Sequence, residues 1–195
     1  MKEIRTIGIV GAGATGQAIA YLAAAAGYRT VLEDVSSARL ADSRAWIAEA
    51  FDRAIALGKR TPVQKVEALA NLATARSVEE VCREADLLID ATAEEMEVKL
   101  EIFTLFDRFA KPGAILASST ASVAIADLAA ITFCAENCVG LRFLAPVVDG
   151  GRIEIVRTPA TSEATVEACG EVGRRLGKEV VVVHEPADST AGAGR

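Results

Sequence analysis

The chain has 195 residues, a net charge of −6 and 51% hydrophobic residues. This length predicts one domain, or one domain and a small part of another, with a sizeable core. No apolar run reaches the ~18 residues that cross a bilayer, no leader peptide is evident, and no basic cluster favours nucleic acid. We therefore expect a cytoplasmic protein with neither a membrane nor a nucleic acid as its partner.

The first predicted elements are a strand, a glycine-rich turn and a helix. Residues 5–10 form the apolar strand and residues 14–27 the helix, which is rich in alanine. Between them, Gly11 permits a sharp turn, Gly13 lets a pyrophosphate approach the backbone, and Gly16 lets the helix pack against the strand. The helix then points its free N–H groups and its positive dipole end at the phosphates.

An acidic residue follows at the distance that is typical of dinucleotide-binding units. The second strand, residues 30–34, ends in Asp34, which lies 18 residues after Gly16, near the ~20 expected for a carboxylate that binds the ribose hydroxyls. Because a carboxylate repels a 2′-phosphate, it favours NAD over NADP. A glycine-rich turn without a ligand is the alternative. The predicted cofactor site comprises Gly11, Ala12, Gly13, Ala14, Thr15, Gly16 and Asp34.

Helices and strands alternate through the rest of the chain. We expect further helices at 37–57, 62–70, 77–84, 94–109, 123–130 and 161–176, and further strands at 71–74, 86–91, 114–117, 138–141, 153–156 and 179–184. This alternation predicts an α/β fold of the Rossmann type, a doubly wound and mostly parallel sheet with helices on both faces. We predict one dinucleotide-binding domain over residues 1–186 and a flexible tail over residues 187–195.

The cysteines and the histidine do not indicate a metal site. The four cysteines, at positions 82, 134, 138 and 169, accompany a single histidine, His184. A zinc site needs a second pair of ligands, so we predict no metal and interpret the cysteines as reduced, mostly buried thiols. His184 ends the last strand, where we expect an ordinary, partly exposed side chain rather than a catalytic base.

Five stretches between residues 4 and 184 carry a specific order of motifs. They read GAGATGQAIA, ADLLIDATAEEMEVKLEIFTLF, KPGAILASSTASVAIADLA, VGLRFLAP and RIEIVRTPATSEATVEACGEVGRRLGKEVVVV. In this order they resemble the cofactor-binding domain of the L-3-hydroxyacyl-CoA dehydrogenases. The resemblance implies NAD as the cofactor, hydride transfer between a 3-hydroxy substrate and NAD, and Glu94 and Lys99 as further cofactor contacts. For Glu94 and Lys99, the alternative is an ordinary exposed pair at a helix start.

The residues that would act on the substrate depart from the family's motifs. The family's catalytic histidine lies in a Gly-Leu-His-Phe-Phe-Asn-Pro stretch, which reads GLRFLAP here, so that Arg142 stands at the histidine position. A guanidinium has a pKa above ~12 and no acceptor, so it does not take a proton near neutral pH. Glu154 matches the carboxylate that orients the histidine, and an ion pair with Arg142 is one use for it. The family's Ser-Asn-Thr-Ser signature reads SSTA over residues 118–121, which leaves Ser119 or Ser118 as a candidate to orient a hydroxyl.

The positions that match the family's CoA contacts also carry other residues. The family's Ser and Lys that touch CoA fall on Ala50 and Leu57, with Lys59 or Arg60 as substitutes. The family continues into a helical domain, which supplies a substrate-site Asn and a dimer contact and which this sequence does not match. The oligomeric state therefore stays open.

Two functions remain. The first is an NAD-dependent oxidoreductase that acts on a hydroxyacyl-CoA, or on a small hydroxy acid whose carboxylate Arg142 binds. The second is a catalytically inactive NAD-binding module that acts as a sensor or partner subunit. A reductase of the 6-phosphogluconate or pyrroline-carboxylate type shares the opening motif, but the GAILASSTAS and VGLRFLAP stretches favour the hydroxyacyl family.

Overall fold

The computed structural model describes residues 3–185, and the predicted tail at 187–195 lies outside this range. The strands are β1 (Thr6–Val10), β2 (Arg29–Glu33), β3 (Leu72–Thr74), β4 (Leu87–Asp90), β5 (Ile115–Ser118), β6 (Cys138–Phe143), β7 (Arg152–Arg157) and β8 (Glu179–His184). The helices are α1 (Ala14–Ala25), α2 (Ser37–Ala56), α3 (Pro62–Ala70), α4 (Val78–Glu84), α5 (Met96–Phe109), α6 (Ile125–Ala130) and α7 (Glu163–Arg175), with a 3₁₀ turn at Ala135–Asn137.

The eight strands form one sheet in the order β3-β2-β1-β4-β5-β6-β7-β8. Every neighbouring pair is parallel except β6 and β7, which are antiparallel. The chain moves outward from β1 to β3 and then returns to place β4 on the other side of β1. A doubly wound sheet binds its ligand in the crevice at such a reversal, outside the carboxyl ends of the strands.

Helices cover both faces of the sheet, as the alternating elements predict. On one face the side chains of β1 and β4 pack against α1, α2 and α7, with Ile19, Phe51 and Val172 buried among them. On the other face α4, α5 and α6 cover the sheet, and Val81 and Phe103 are fully buried there. The predicted Rossmann-type fold is confirmed.

Several element ends differ from the predicted ones. The helix predicted from residue 94 begins at Met96 and the helix predicted from residue 123 begins at Ile125, because the preceding residues form hydrogen-bonded loops at the sheet edge. Strand β6 extends two residues beyond the predicted range of 138–141. It does so because antiparallel pairing with β7 continues to Phe143, opposite Ile153. Within residues 3–185 no helix is both long enough and apolar enough to cross a membrane.

Candidate functional site

The turn between β1 and α1 requires glycine at two positions. Gly11 has φ +101°, and a Cβ added there would lie 2.5 Å from the carbonyl oxygen of Ala91. A Cβ on Gly16 would collide with the carbonyl oxygen of Gly11, so α1 approaches the turn only because Gly16 has no side chain. Gly13 differs, because a Cβ added there meets no atom within 4 Å and would project into open space.

Two side chains hold this turn in place. The backbone N–H of Ala12 donates to Oδ2 of Asp34 at 2.9 Å, and the hydroxyl of Ser43 donates to the carbonyl oxygen of Ala12 at 2.7 Å. The other carboxylate oxygen of Asp34 accepts from the N–H of Ser36 at 2.9 Å, and Ser36 caps α2. Asp34 therefore shapes the turn as well as facing the cleft. No pattern in the sequence indicates Ser43, which is a buried serine inside α2.

A cleft of about 660 Å³ opens over the turn, at the reversal point between β1 and β4. Five of the nine predicted cofactor residues line it, namely Gly11, Gly13, Ala14, Thr15 and Asp34. Ala12 and Gly16 are buried and do not line it. No side chain caps α1, whose N-cap is Gly13. The first-turn N–H groups of the helix are thus free to bind a ligand at the mouth of the cleft.

Three acidic residues line the cleft, Glu33 and Asp34 at the end of β2 and Glu101 on α5, together with Arg39. Glu33 is only 4% exposed. Burial, and secondarily the negative charge of Asp34, raises the pKa of Glu33 above its usual range.

Beside the cleft, a buried ionic network joins the ends of β4 and β5. The ammonium of Lys99 donates to Oδ2 of Asp90 at 3.0 Å, and the hydroxyl of Ser118 donates to the same oxygen at 2.7 Å. The side chains of Lys99 and Asp90 are 1% and 0% exposed. The alternative that Lys99 belongs to an exposed pair is therefore wrong, because α5 turns this side chain inward over β4. The sequence showed Asp90 only as an acidic end to an apolar strand.

Glu94 organises the loop that follows β5. Its Oε1 accepts from the hydroxyl of Thr120, and from the N–H groups of Ala121 and Ser122 at 2.9 Å each. Partial burial acts to raise the pKa of Glu94, but the bonds from Thr120 and Ser122 and the nearby Lys99 ammonium outweigh it and lower the pKa to about 2. The carboxylate of Glu94, 3.6 Å from Lys99, thus ties this loop to the buried network.

Arg142 and Glu154 are opposite each other on β6 and β7, yet they form no ion pair in the described part of the chain. The Nε of Arg142 donates instead to the carbonyl oxygen of Thr120 at 3.0 Å, which turns the guanidinium toward the loop after β5. Glu154 pairs with Arg152, at 3.4 Å. The predicted ion pair between Arg142 and Glu154 is wrong for this reason.

Ser119 follows β5 at the same edge of the sheet. Its backbone N–H donates to the carbonyl oxygen of Asp90 at 2.9 Å, and its side chain is half-buried. The ends of β2 and β6 are separated by four strand spacings, so Asp34 and Arg142 lie roughly 19 Å apart along the edge. Arg142 thus lies well away from the carboxylate of Asp34, whereas Ser119 lies only two strands from β1.

A second cleft, of about 610 Å³, lies on the α1–α2–α7 side. The positions matched to the family's CoA contacts, Ala50 and Leu57, line it together with Lys59 and Arg60. Lys59 pairs with Asp149 at 2.7 Å. The structure therefore brings these four positions together around one space, whose cations also include Arg53 and Lys178.

The remaining candidate groups lie outside both clefts. Within residues 3–185 none of the four cysteines forms a disulfide, and Cys82, Cys138 and Cys169 are buried, as expected. Burial first, and then the negative charges of Glu33 and Glu79, raise the pKa of Cys82 to about 12. His184 is exposed at the end of β8. Among residues 3–185 no group of three or more His, Cys, Asp or Glu side chains is placed to hold a metal ion.

Known proteins resemble this chain in both sequence and structure. The family described as 3-hydroxyacyl-CoA dehydrogenase, NAD binding domain, matches residues 6–186. A 3-hydroxybutyryl-CoA dehydrogenase of Bradyrhizobium diazoefficiens is 38% identical over 179 residues, which cover 92% of this chain and 61% of the relative. The human mitochondrial hydroxyacyl-coenzyme A dehydrogenase is 33% identical over 186 residues, covering 91% of this chain and 58% of that protein.

A solved structure gives the same result. The (S)-3-hydroxybutyryl-CoA dehydrogenase of Ralstonia eutropha superposes with a TM-score of 0.90 at 34% identity, over 94% of this chain and 65% of that one. The chain thus spans about three fifths of the length of these relatives. The motif order, the doubly wound sheet and these matches agree, and the chain belongs to the NAD-binding domain family of the 3-hydroxyacyl-CoA dehydrogenases.

Proposed function

We propose that this chain binds NAD along the carboxyl edge of its sheet and forms the cofactor half of an oxidoreductase that acts on a 3-hydroxyacyl substrate. The observation that carries the proposal is the cleft over the glycine turn. There an uncapped helix N terminus, an open Gly13 and the carboxylate of Asp34 face one space. Bound NAD would supply the acceptor for a hydride.

The residues of the cleft fit a dinucleotide. The pyrophosphate would lie against Gly13 and the first-turn N–H groups of Ala14 and Thr15. Each oxygen of Asp34 accepts one backbone N–H and keeps a second acceptor site, so the carboxylate can receive both ribose hydroxyls. Glu94 and Lys99 support NAD indirectly, because they fix the loops after β4 and β5.

The second cleft suits the phosphates of a CoA thioester. Arg53, Lys59, Arg60 and Lys178 surround it, against the single carboxylate of Asp149, in a chain whose net charge is −6. Trp46 lies at the same cleft and offers an aromatic surface to a base. This charge pattern supports a hydroxyacyl-CoA as the substrate, which is also the class that the relatives' names give.

Arg142 and Ser119 lie at the carboxyl edge of β5 and β6, which we call the reactive end, and Arg142 determines the chemistry that is possible there. Its Nε is held by the carbonyl oxygen of Thr120, while its two terminal nitrogens have no acceptor within residues 3–185. This free guanidinium fork suits a carboxylate and cannot act as a general base. Ser119 is the neighbouring hydroxyl that we propose to orient a substrate oxygen. Glu154 pairs with Arg152, which supports the proposal that this chain does not use the relay of His and Glu that the resemblance implies.

The second candidate function is an NAD-binding module without turnover. Arg142 favours it, because a positioned base normally contributes about 10²–10⁴-fold to the rate. The two candidates share the cofactor cleft and differ only at the reactive end.

Calorimetric titration tests the shared part. We expect the protein to bind NAD more tightly than NADP. Asp34→Ala should weaken NAD about tenfold or more, since two hydrogen bonds to a charged group are lost, and should weaken NADP less. If no dinucleotide binds at millimolar concentration, or if NADP suffers more, the cofactor assignment is wrong.

A spectrophotometric assay separates the two candidates. NADH formation with a 3-hydroxyacyl-CoA or a short hydroxy acid, at rates typical of dehydrogenases, would support the enzyme. NAD binding with no NADH from either substrate class would support the module.

A further inference from the structure

One buried carboxyl group in the cofactor cleft has no part in the interactions proposed so far. Glu33 ends β2, is 4% exposed and lines the cleft over the glycine turn. Within residues 3–185 its carboxylate accepts no hydrogen bond and forms no ion pair, although Arg39 lines the same cleft. Its oxygens still reach the space of the cleft, because no fully buried side-chain oxygen or nitrogen in the described part of the chain lacks a hydrogen-bond partner. The carboxylate is therefore open to a donor that arrives with a ligand, whereas a ligand that covers it without a donor binds unfavourably.

The strand geometry directs the carboxyl group of Glu33 away from that of Asp34, which holds the glycine turn. Side chains alternate along a strand, so Glu33 shares its face of the sheet with Val31, and its partner in register on β1 is Val10. Both valines pack toward α4 and α5. Asp34, one residue later, faces the turn and bonds to Ala12. Glu33 and Asp34 thus line different parts of the cleft.

The part of the cleft next to Glu33 is an apolar slot. Its walls are the side chains of Val35, Val78, Val98, Ile102 and Leu105. Val35 is 98% exposed, which leaves a large apolar side chain uncovered at the rim. Glu101 on α5 also lines the cleft but is exposed, so Glu33 is the buried polar group beside these apolar walls. Apolar walls with a few placed polar groups are typical of a small-molecule site, and a planar base fits between them. With the ribose on Asp34, the base of the nucleotide is the ring that reaches it.

We propose that Glu33 accepts a hydrogen bond from the exocyclic amino group of the adenine base and makes the cleft selective for a purine that carries an amine. The inference rests on the proposed function, because it needs the dinucleotide in this cleft. Hypoxanthine has a carbonyl oxygen where adenine has the amine. Inside the slot that oxygen would face the carboxylate and leave it without a donor, which is the arrangement that binding sites reject most strongly.

The test compares NAD with nicotinamide hypoxanthine dinucleotide by calorimetry. We expect the protein to bind NAD at least about tenfold more tightly, which is the usual effect of one hydrogen bond to a charged group. In Glu33→Val the ratio of the two affinities should fall to near one. In Glu33→Gln part of the preference should return, since the amide oxygen also accepts. Glu97→Gln, on the exposed side of α5, is the matched control and should keep the full ratio.

The possible results separate this inference from the proposed function. Equal binding of the two dinucleotides, or a preference that survives Glu33→Val, would overturn the role of Glu33 and leave NAD binding intact. Binding of neither dinucleotide would overturn both. Thermal melting by circular dichroism checks that the variants fold. Glu33→Val is expected to fold, because it places an apolar side chain next to Val31 and Val10 and breaks no hydrogen bond within residues 3–185.

Discussion

The two halves of the sheet edge use their polar groups differently. At the ends of β1 and β2, Asp34 retains acceptor capacity, Glu33 has no partner in the described chain, and α1 has no side-chain cap. At the ends of β4 and β5, Asp90 and Lys99 bind each other, and Glu94 binds the loop beyond. One half leaves its polar groups for a ligand, whereas the other uses them to hold its own loops.

This difference separates the cofactor cleft from the residue at position 142. The buried network of Asp90, Lys99 and Ser118 lies between the glycine turn and Arg142 and supports the loops on both sides. It does not involve the side chain at position 142, which bonds only to the carbonyl oxygen of Thr120. The side chain at position 142 is therefore not needed to hold the network or the cofactor cleft.

The largest effect should come from breaking the network. Lys99→Met leaves Asp90 buried without its cation, so we expect the free energy of unfolding to fall by about 3–5 kcal/mol. Lys65→Met is the matched control. It removes a 2.6 Å ion pair with the exposed Asp52 and should cost less than about 1 kcal/mol. Urea denaturation of both variants measures the difference. Equal losses would show that the buried pair contributes no more than a surface pair.

The second largest effect should be a loss of NAD affinity without a loss of stability. Gly13→Val adds a side chain where a Cβ meets no protein atom, on a backbone with φ −71° that any residue adopts. We expect the melting temperature to change little and NAD affinity to drop about 100-fold, or about 2.7 kcal/mol, because the side chain occupies the place of the pyrophosphate.

Gly16→Val provides the contrast to that variant. Its Cβ would collide with the carbonyl oxygen of Gly11, so stability and NAD affinity should fall together. A Gly13→Val protein that binds NAD normally would contradict the placement of the pyrophosphate.

The smallest effect concerns the pH dependence of stability. The pKa of Glu94 lies at about 2 in the folded chain, below its ordinary value of 4.5. The stability that its charge contributes is therefore fully present above about pH 4.5 and is lost as the pH falls toward 2. The side chain is 43% exposed, so solvent screening keeps this contribution small.

Glu94→Gln should accordingly lower the melting temperature by a few degrees at neutral pH. The difference from the unmodified protein should shrink on acidification through this range, as followed by thermal melting. A difference that stays constant with pH would mean that the charge of Glu94 is not what stabilises the loop.

The sequence alone determined the fold and most of the cofactor cleft. Strand and helix periods are local properties, and glycine requirements at Gly11 and Gly16 follow from backbone geometry. The spacing to Asp34 follows from the length of one strand–helix–strand unit. Helix starts near Glu94 and the end of β6 were less predictable, because loop hydrogen bonds and pairing with β7 set them.

The tertiary structure alone decided which charged groups are free and which are bound to each other. From the sequence, Lys99 is a predicted cofactor contact with an exposed pair as the alternative, and the structure buries it over β4 against Asp90. Glu154 was a possible ion-pair partner for Arg142. In the structure Arg142 donates to the carbonyl oxygen of Thr120 instead, and Glu154 pairs with Arg152. In the sequence Glu33 is an ordinary residue of the second strand. Only the structure shows that its carboxyl group lies at the cleft and has no donor within residues 3–185. Each outcome depends on atoms that are distant in sequence, because burial and hydrogen-bond partners are set by packing between elements and not by local spacing.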